Sequence, residues 1–526
     1  MRKHLLMVNS TFNIDDYDDN EVWGLICDGR TKGVFQLESQ LGRSWAKRAK
    51  PTNIEELAAL VSIIRPGCLK AFTEGKSMTQ HYVDRKSGVD PVTYLHDSLE
   101  SILKETYGVL VYQEQSMMIA QKLAGFNLEE ADDLRKAIGK KKADLMNKVK
   151  KAFLEGATKE GIVTKGAAEE IFSWIEKSSR YAFNKSHAVS YAVNAYRSAY
   201  CKVHRRMKFF ESYLNHSDRK PDSQLEIKEL VSDAKLYDVE VLPPRLNHFY
   251  AKFTASKDKV YFGINNVKGV GNTETTKIIN IIKSLEDTVG EFSQWRWVDV
   301  IGNIFGKINK RALVALISVG AFNGVNNRMH RNKMLYEFDS WRSLTSRESA
   351  WISENYEGCE TLQDCITKMI NSFKITSNRL VKIMDIKNVL DSPLYDLSDH
   401  PSWIAETEES FMGCGLTFSK TDAIESSLSN CSCKEIALGT RTGSVNVLAQ
   451  INTLREYKTK NGKNPGQTMG FLTIEDSSST LDSVVIFPEA YEKYKGVLHE
   501  GSTVVILGQI SSKKDGSLII NKVSEV

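Results

Sequence analysis

Between Arg135 and Lys151 the chain carries eight basic residues, Arg135, Lys136, Lys140, Lys141, Lys142, Lys148, Lys150 and Lys151, against one acid, Asp144, a local charge of +7. Solvated helix faces mix signs, so a surplus this concentrated fits a polyanion, either a nucleic-acid backbone or a triphosphate. The residues just before it have a plainer reading. Asn127 can cap a helix with Glu130 three positions on, acids fill its early turns, and Gly139 can close it in a left-handed conformation. Arg135 and Lys136 would then complement the negative end of the helix dipole. Only the lysines beyond Gly139 exceed what the dipole asks for.

A second candidate is the stretch RYAFNKSHAVSYAVNAYRSAY, residues 180–200. Taking Ser186 as the helix cap, Ala188, Ala192, Ala195 and Ala199 follow at steps of four, three and four, a smooth face for close packing. A rigid helix start presents unpaired backbone N–H groups, and Lys185 and His187 beside it add donors for phosphate oxygens. Tyr181 and Phe183 could stack on a base or buttress one. Taken singly, each residue has an ordinary alternative: a satisfied, partly buried histidine and core tyrosines.

The segment VKGVGNTETTKII, residues 267–279, places Gly269 and Gly271 before a helix. It lacks the later glycine of a dinucleotide fingerprint and the G-K-[ST] end of a Walker loop. It fits a helix-hairpin-helix turn, in which glycines admit DNA phosphates to the backbone without reading sequence. KINKRALVALISVGAF supplies a second, more degenerate unit with Lys307, Lys310 and Arg311 at its start. The four carboxylates Asp15, Asp16, Asp18 and Asp19 do not follow a calcium-loop pattern, and acids ahead of a helix complement its dipole.

These segments need scaffolds. At 526 residues the chain exceeds what one core serves and predicts three to four domains. Hydrophobic residues make up 41% and charged residues 26%, a globular mixture without a long apolar run, so a soluble, cytosolic protein with no membrane role is expected. Eight cysteines without a C-x-x-C pair indicate neither a zinc site nor a disulfide framework, and free thiols are expected. The net charge of +4 says less than its uneven placement.

Apolar spacing of three and four in NIEELAALVSII and LVYQEQSMMIAQKLAGF predicts mainly helical structure over residues 23–215. A helix in KPDSQLEIKELVSDAKLYDVEVLPPRLN ends before the strand-like VEVLPP, and a domain change is expected there, opening a duplex-binding region at 216–330. Residues 331–438 read as a helical connector. From 441 to 526 the period changes: SVNVLAQI, MGFLTIED, LDSVVIF, STVVILGQI and SLIINKV are five short strands, with the helix-like PEAYEKYKGVL between the third and fourth. That count and helix position fit an OB barrel, with a small β-sandwich as the competing architecture. The expected class is α+β multidomain, mainly α-helical before a C-terminal β-barrel.

Several of these stretches together resemble a known family. TKGVFQLES (31–39), IRPG (64–67), YVDRKSG (82–88), ILKETYGVLVYQEQSMMIAQKLAGF (102–126), EADDLRKAIGKKK (130–142) and YAFNKSHAVSYAV (181–193) are similar, in order and spacing, to the fingers of the bacterial C-family replicative DNA polymerase, the DNA polymerase III alpha subunit. EVLPPRLN, the GINNVKGVG turn and the terminal barrel pattern resemble its later regions. The resemblance implies that fingers close over an incoming deoxynucleoside triphosphate. Arg65, Arg135 and Lys140 would lie near the triphosphate, and Tyr181, Lys185 and His187 beside the nascent base pair, with GVFQLES near the palm. Lys141, Lys142, Lys268, Gly269, Gly271, Lys310 and Arg311 would meet primer-template DNA, and the barrel would offer a single-strand surface with Arg455, Lys458 and Lys460.

In that family the palm aspartates hold two Mg2+ ions. The expectation is that residues 1–22 adjoin a palm absent from this chain, that this is the C-terminal half of a split polymerase, and that a separate palm-bearing chain holds the metal. The resemblance places it in the cytoplasm of a bacterial cell, whether host- or virus-encoded. A sliding clamp is a further partner implied by the family, although residues 325–438 contain no Q-x-x-[LM]-F peptide. Ala182 stands where the family has glycine, Arg180 where glycine is common, and Cys68 where proline follows R-P-G. The rival reading is a non-catalytic DNA-binding accessory protein of the same descent; a metal nuclease built on Asp15–Asp19 lacks convergent histidines or carboxylates.

Overall fold

The computed structural model describes residues 13–140, 143–178, 181–246, 248–290, 294–324, 329–459, 465–511 and 517–526. The chain divides into two compact units, Met1–Arg206 and Met207–Val526.

The first unit is helical: α1 (Asn20–Cys27), α2 (Gln40–Ala49), α3 (Ile54–Ile63), α4 (Met78–Lys86), α5 (Gln113–Ala124), α6 (Leu128–Lys140), α7 (Ala143–Glu160), α8 (Lys165–Ser178) and α9 (Lys185–His204). Short polar side chains start these helices. Asp19 caps α1 and Asn53 caps α3, and at α6 Asn127 accepts from the N–H groups of Glu129 and Glu130 while Glu130 accepts from Asn127 N–H. This reciprocal box is the one expected from the sequence.

Two sequence expectations fail locally. α6 runs through Gly139 to Lys140 instead of ending at the glycine. Its apolar stripe, Ala131, Leu134 and Ala137, is buried in one cluster with Met146 and Phe153 of α7. That packing outweighs the roughly 1 kcal/mol an interior glycine costs. The cap of α9 is Asn184, not Ser186: Asn184 Oδ1 accepts the His187 N–H at 2.9 Å, and Ser186 Oγ donates to the same oxygen at 2.7 Å. Asparagine caps at least as well as serine, and its amide nitrogen finds a second partner described below. The alanine face of α9 is as expected, with Ala188, Ala192, Ala195 and Ala199 fully buried in a helix that packs on α3.

In the second unit α10 (Ser223–Lys235), capped by Asp222, precedes β1 (Glu240–Leu242), which lies parallel to β3 (Lys259–Tyr261); β2 (Thr254–Ser256) pairs antiparallel on the other side of β3. Helices α11 (Asn272–Val289), α12 (Trp297–Ile304) and α13 (Lys310–Ser318) follow. The connector contains α14 (Arg331–Arg342), α15 (Ser346–Asn355), α16 (Leu362–Ser372), α17 (Ser377–Asp391) and α18 (Pro401–Met412). The Arg331 guanidinium and the Glu408 carboxylate, 2% and 0% exposed, meet at 3.0 Å and fasten α14 to α18.

The chain ends in a closed barrel of β4 (Ser444–Lys458), β5 (Thr468–Glu475), β6 (Thr480–Ile486), β7 (Thr503–Ile510) and β8 (Leu518–Glu525). Strand order is β8-β6-β5-β4-β7, closed by β7 against β8, with β8 parallel to β6. Val445, Val447, Ala449 and Ile451 alternate into its core, and α19 (Pro488–Tyr494) sits in the expected gap between the third and fourth strands. Closure and strand order make this an OB barrel and exclude the sandwich. The class is α+β: helical units with a terminal β-barrel.

Candidate nucleotide site and nucleic-acid surfaces

The start of α9 is fixed by the segment before α5. Phe183 N–H donates to Val111 O at 3.0 Å and Gln113 N–H donates to Phe183 O at 2.9 Å, a two-bond parallel bridge. This registers YAFNKSH against VYQEQ. Glu114 then reaches the helix start: one carboxylate oxygen accepts from the Asn184 amide at 2.7 Å and the other from Lys185 N–H at 2.9 Å. The expectation of unpaired backbone donors is therefore corrected here, since Glu114 takes the Lys185 N–H and the Asn184 cap takes that of His187.

The Lys185 ammonium meets Glu105 at 3.0 Å and lies 5.8 Å from the Tyr112 ring centroid. Arg65, exposed at the N-cap of the short helix Pro66–Lys70, places its guanidinium carbon 4.1 Å from the Phe183 ring centroid. The ring row continues from Phe183 to His187 at 5.3 Å, from His187 to Tyr191 at 4.2 Å and from Tyr191 to Phe35 at 5.2 Å. Arg65, Phe183, Lys185 and exposed His187 thus share one helix start, and Phe35 of GVFQLES joins their row. Tyr181 is half-buried; burial, with a smaller contribution from the nearby Cys68, pushes its phenol upward. Burial likewise lifts the Cys68 thiol to about 12, so it is a packing group rather than a nucleophile.

Other candidates pair within their own helix or lie outside the described residues. Arg135 and Lys136 pair with Asp132 of their own helix at 2.8 and 3.0 Å, and these cations, Lys136 first, hold the Asp132 carboxyl below its usual range. Lys141, Lys142 and Lys460 lie outside the described residues, as does the side chain of Lys140. Sequence reasoning missed Glu105, Glu114, Phe35 and Tyr191. All four lie in segments that carry the resemblance, but beyond that Glu114 was marked only as an acid in the first turn of a helix, Phe35 only through GVFQLES, and Glu105 and Tyr191 not at all.

In the second unit the glycine turn leads into α11, with Gly269 at φ +98° and Gly271 at the N-cap with φ −91° and no capping side chain. A Cβ on Gly269 would come within 3.1 Å of the Arg311 side chain, so the second motif lies across the first turn. Glu274 accepts the Asn309 N–H at 3.0 Å, binding the start of α13 to that of α11. Lys268 is exposed and its N–H donates to Phe411 O at 2.8 Å, so this residue offers its side chain rather than its amide. Lys310 and Arg311 are exposed, as are Arg455 and Lys458 at the end of β4.

Two of the N-terminal acids, Asp15 and Asp19, are bound within their own unit. Asp19 caps α1 and meets His204 Nε2 at 2.7 Å; Asp15 accepts from Arg197 Nε at 2.8 Å, which holds its carboxyl low. Among the described residues no group of three His, Cys, Asp or Glu side chains could hold a metal ion. The eight cysteines are free, and among the described residues no helix is long and apolar enough to cross a membrane.

Comparison with known proteins agrees with this architecture. The model of the bacterial DNA polymerase III alpha subunit finger domain matches residues 7–161, a helix-hairpin-helix motif matches 238–334, and an OB-fold nucleic acid binding domain matches 445–526. The chain is 33% identical over 496 residues to the DNA polymerase III subunit alpha of Aquifex aeolicus, covering 93% of this chain and 37% of the relative. It is 28% identical over 526 residues to that of Borreliella burgdorferi, covering 99% and 42%, and 29% identical over 540 residues to that of Staphylococcus epidermidis, covering 99% and 44%. The chain therefore spans about two fifths of the length of the curated relatives it matches. With fingers, helix-hairpin-helix and OB barrel in that order, and similarity along nearly all of its length, it belongs to the bacterial DNA polymerase III alpha subunit family as the fingers-to-OB portion.

Proposed function

We propose that this chain supplies the nucleotide-binding and DNA-binding parts of a template-directed DNA polymerase, and that a separate palm-bearing chain completes the active site. The observation that carries the reading is the meeting of Arg65, Phe183, Lys185 and His187 at one helix start, in a chain of this family. Arg65 and Lys185, with Arg135 and Lys140, neutralise the triphosphate of an incoming nucleotide. Tyr181, Phe183 and His187 form the aromatic wall against the nascent base pair. Holding the nucleotide in one pose against the primer end converts a bimolecular encounter into a positioned one.

The described residues do not fit the reaction's Mg2+, and the proposal assigns that metal to palm carboxylates of the partner chain. The helix-hairpin-helix turn, through Lys268, Gly269, Gly271, Lys310 and Arg311, holds duplex product by its phosphates. Lys141 and Lys142 of the basic run also contact primer-template phosphates. The OB barrel, with Arg455, Lys458 and Lys460, takes single-stranded template. A sliding clamp is the further partner of such a polymerase. The proposed setting is the bacterial cytoplasm, with a viral gene as an alternative source.

The test is reconstitution. Mixed with a palm-bearing polypeptide, primed template, nucleotides and Mg2+, the pair extends primer, and neither chain does so alone. Extension by this chain alone would overturn the proposal. So would a pair whose extension is unaffected by Arg65→Ala, Lys185→Ala and Arg135→Ala together, and that outcome would favour the accessory DNA-binding reading.

A further inference from the structure

Lys185 is read above as a triphosphate ligand, yet its ammonium is already engaged. Glu105 Oε2 lies 3.0 Å from it, with the two side chains 69% and 41% exposed. Glu105 sits in the single turn Lys104–Thr106, which packs on α3, while Lys185 opens α9. Tyr112, 3% exposed, supplies a ring face 5.8 Å from the same ammonium. The lysine is thus held at one geometry by a carboxylate and an aromatic ring from the segment that also registers Phe183.

The two carboxylates near this helix start do different work. Glu114 is half-buried and bound by two N–H donors, one of them backbone, so it belongs to the fold. Glu105 makes its one described side-chain contact with Lys185 and is largely in water. An exposed ion pair is worth little and exchanges readily. A triphosphate oxygen offers the same ammonium a stronger, multiply charged partner.

We infer that Glu105 is a built-in competitor for the triphosphate: it holds the Lys185 ammonium in the nucleotide-free state and yields it to the arriving nucleotide, so that its charge sets how much nucleotide the site requires. The inference rests on the reading of Lys185 as a triphosphate ligand. Removing the competing charge frees Lys185 while leaving the Tyr112 face in place to hold it. The gain equals the lost ion pair, which for an exposed pair corresponds to about two- to five-fold in affinity.

The experiment measures kcat and the KM for deoxynucleotide in the complete polymerase, this chain with its palm-bearing partner, for wild type, Glu105→Gln, Lys185→Ala and the double variant. Glu105→Gln lowers KM two- to five-fold with the change confined to KM, and the gain shrinks as salt is added. In the Lys185→Ala background, Glu105→Gln has no effect. If Lys185→Ala raises KM while Glu105→Gln leaves it unchanged or raises it, the competitor role is overturned and the nucleotide site stands. An equal gain from Glu105→Gln with and without Lys185 also overturns it, since the carboxylate would then act by general repulsion. If Lys185→Ala leaves KM unchanged, the nucleotide site itself fails and the inference with it.

Discussion

The guanidinium of Arg65 lies over the ring of Phe183, carbon to centroid 4.1 Å, across 118 positions of sequence. The contact unites the start of the Pro66–Lys70 helix with the start of α9 while Arg65 stays exposed to solvent. A planar cation stacked on a ring is not reproduced by lysine. Arg65→Lys is therefore expected to raise the KM for deoxynucleotide about two- to five-fold for loss of the exposed stacked contact, and Arg65→Ala more, since a phosphate donor is lost with it. Thermal stability changes little in either variant. Steady-state extension by the reconstituted polymerase checks this, and a lysine variant with wild-type KM would contradict it.

Gly269 and Gly271 separate fold from function in the helix-hairpin-helix turn. At φ +98°, and with the Arg311 side chain 3.1 Å from where a Cβ would stand, Gly269→Ala strains the backbone and makes that side chain give way slightly, at a cost above about 1 kcal/mol. Gly271 has φ −91° and open space where its Cβ would stand, so Gly271→Ala leaves thermal unfolding within about 0.5 kcal/mol of wild type. Its methyl group nonetheless occupies the point at which a phosphate would approach the helix start. Duplex affinity by anisotropy falls in both variants; undiminished affinity in Gly271→Ala removes this turn from the DNA surface.

Much of this architecture was legible because it rests on short-range rules. The Asn127–Glu130 box, the alanine face of α9 and the five strands with their helix in the right gap are periodicities and caps, each decided within a few residues. The failures share a cause. Gly139 and Ser186 obey local preference in sequence, but packing against α7 and the carboxylate of Glu114, 70 positions before Asn184, decide the outcome. The pairing of Arg331 with Glu408 across 77 positions was equally invisible. For the site, residue types pointed to Arg65, Lys185 and His187 through resemblance, while their acid partners carried no local mark. A carboxylate's role depends on which cation the fold brings to it.

Glu337 makes the second unit sensitive to pH. It is 3% exposed, burial pushes its carboxyl up to about 7, and the Trp297 indole N–H, donating at 2.7 Å, offsets this only partly. The folded state holds its proton more tightly than the unfolded chain, whose value is near 4.5. Stability from this group is thus fully present below about pH 4.5, declines as pH rises to about 7 and is flat beyond, a span on the order of 3 kcal/mol. Glu337→Gln keeps an acceptor for Trp297 and removes the titration. Denaturant unfolding at pH 5 and pH 8 should show the wild type losing stability relative to the glutamine variant; parallel pH profiles would contradict it.

The OB barrel carries an aromatic pair on its surface. Tyr457 and Phe471, 45% and 42% exposed, lie on the neighbouring strands β4 and β5 with ring centroids 6.5 Å apart. Register sets Tyr457 opposite Met469 and Arg455 opposite Phe471, and the period of two puts all four side chains on one face. Water-exposed rings on a strand pair add little to the barrel, whose core lies on the other face. Stacking on such rings is worth about 1–3 kcal/mol per base, and the 70° angle between them suits two bases in succession rather than one base sandwiched. Tyr457→Ala and Phe471→Ala should each weaken binding of an oligothymidylate at least about five-fold, with unchanged salt dependence and unchanged thermal stability. Arg455→Ala and Lys458→Ala should instead reduce the slope of log affinity against log salt by about 0.7 each, the signature of one lost phosphate contact on a single strand. The two pairs of variants thus report separately on bases and on backbone. Wild-type affinity in both aromatic variants would mean that template passes this barrel on another face.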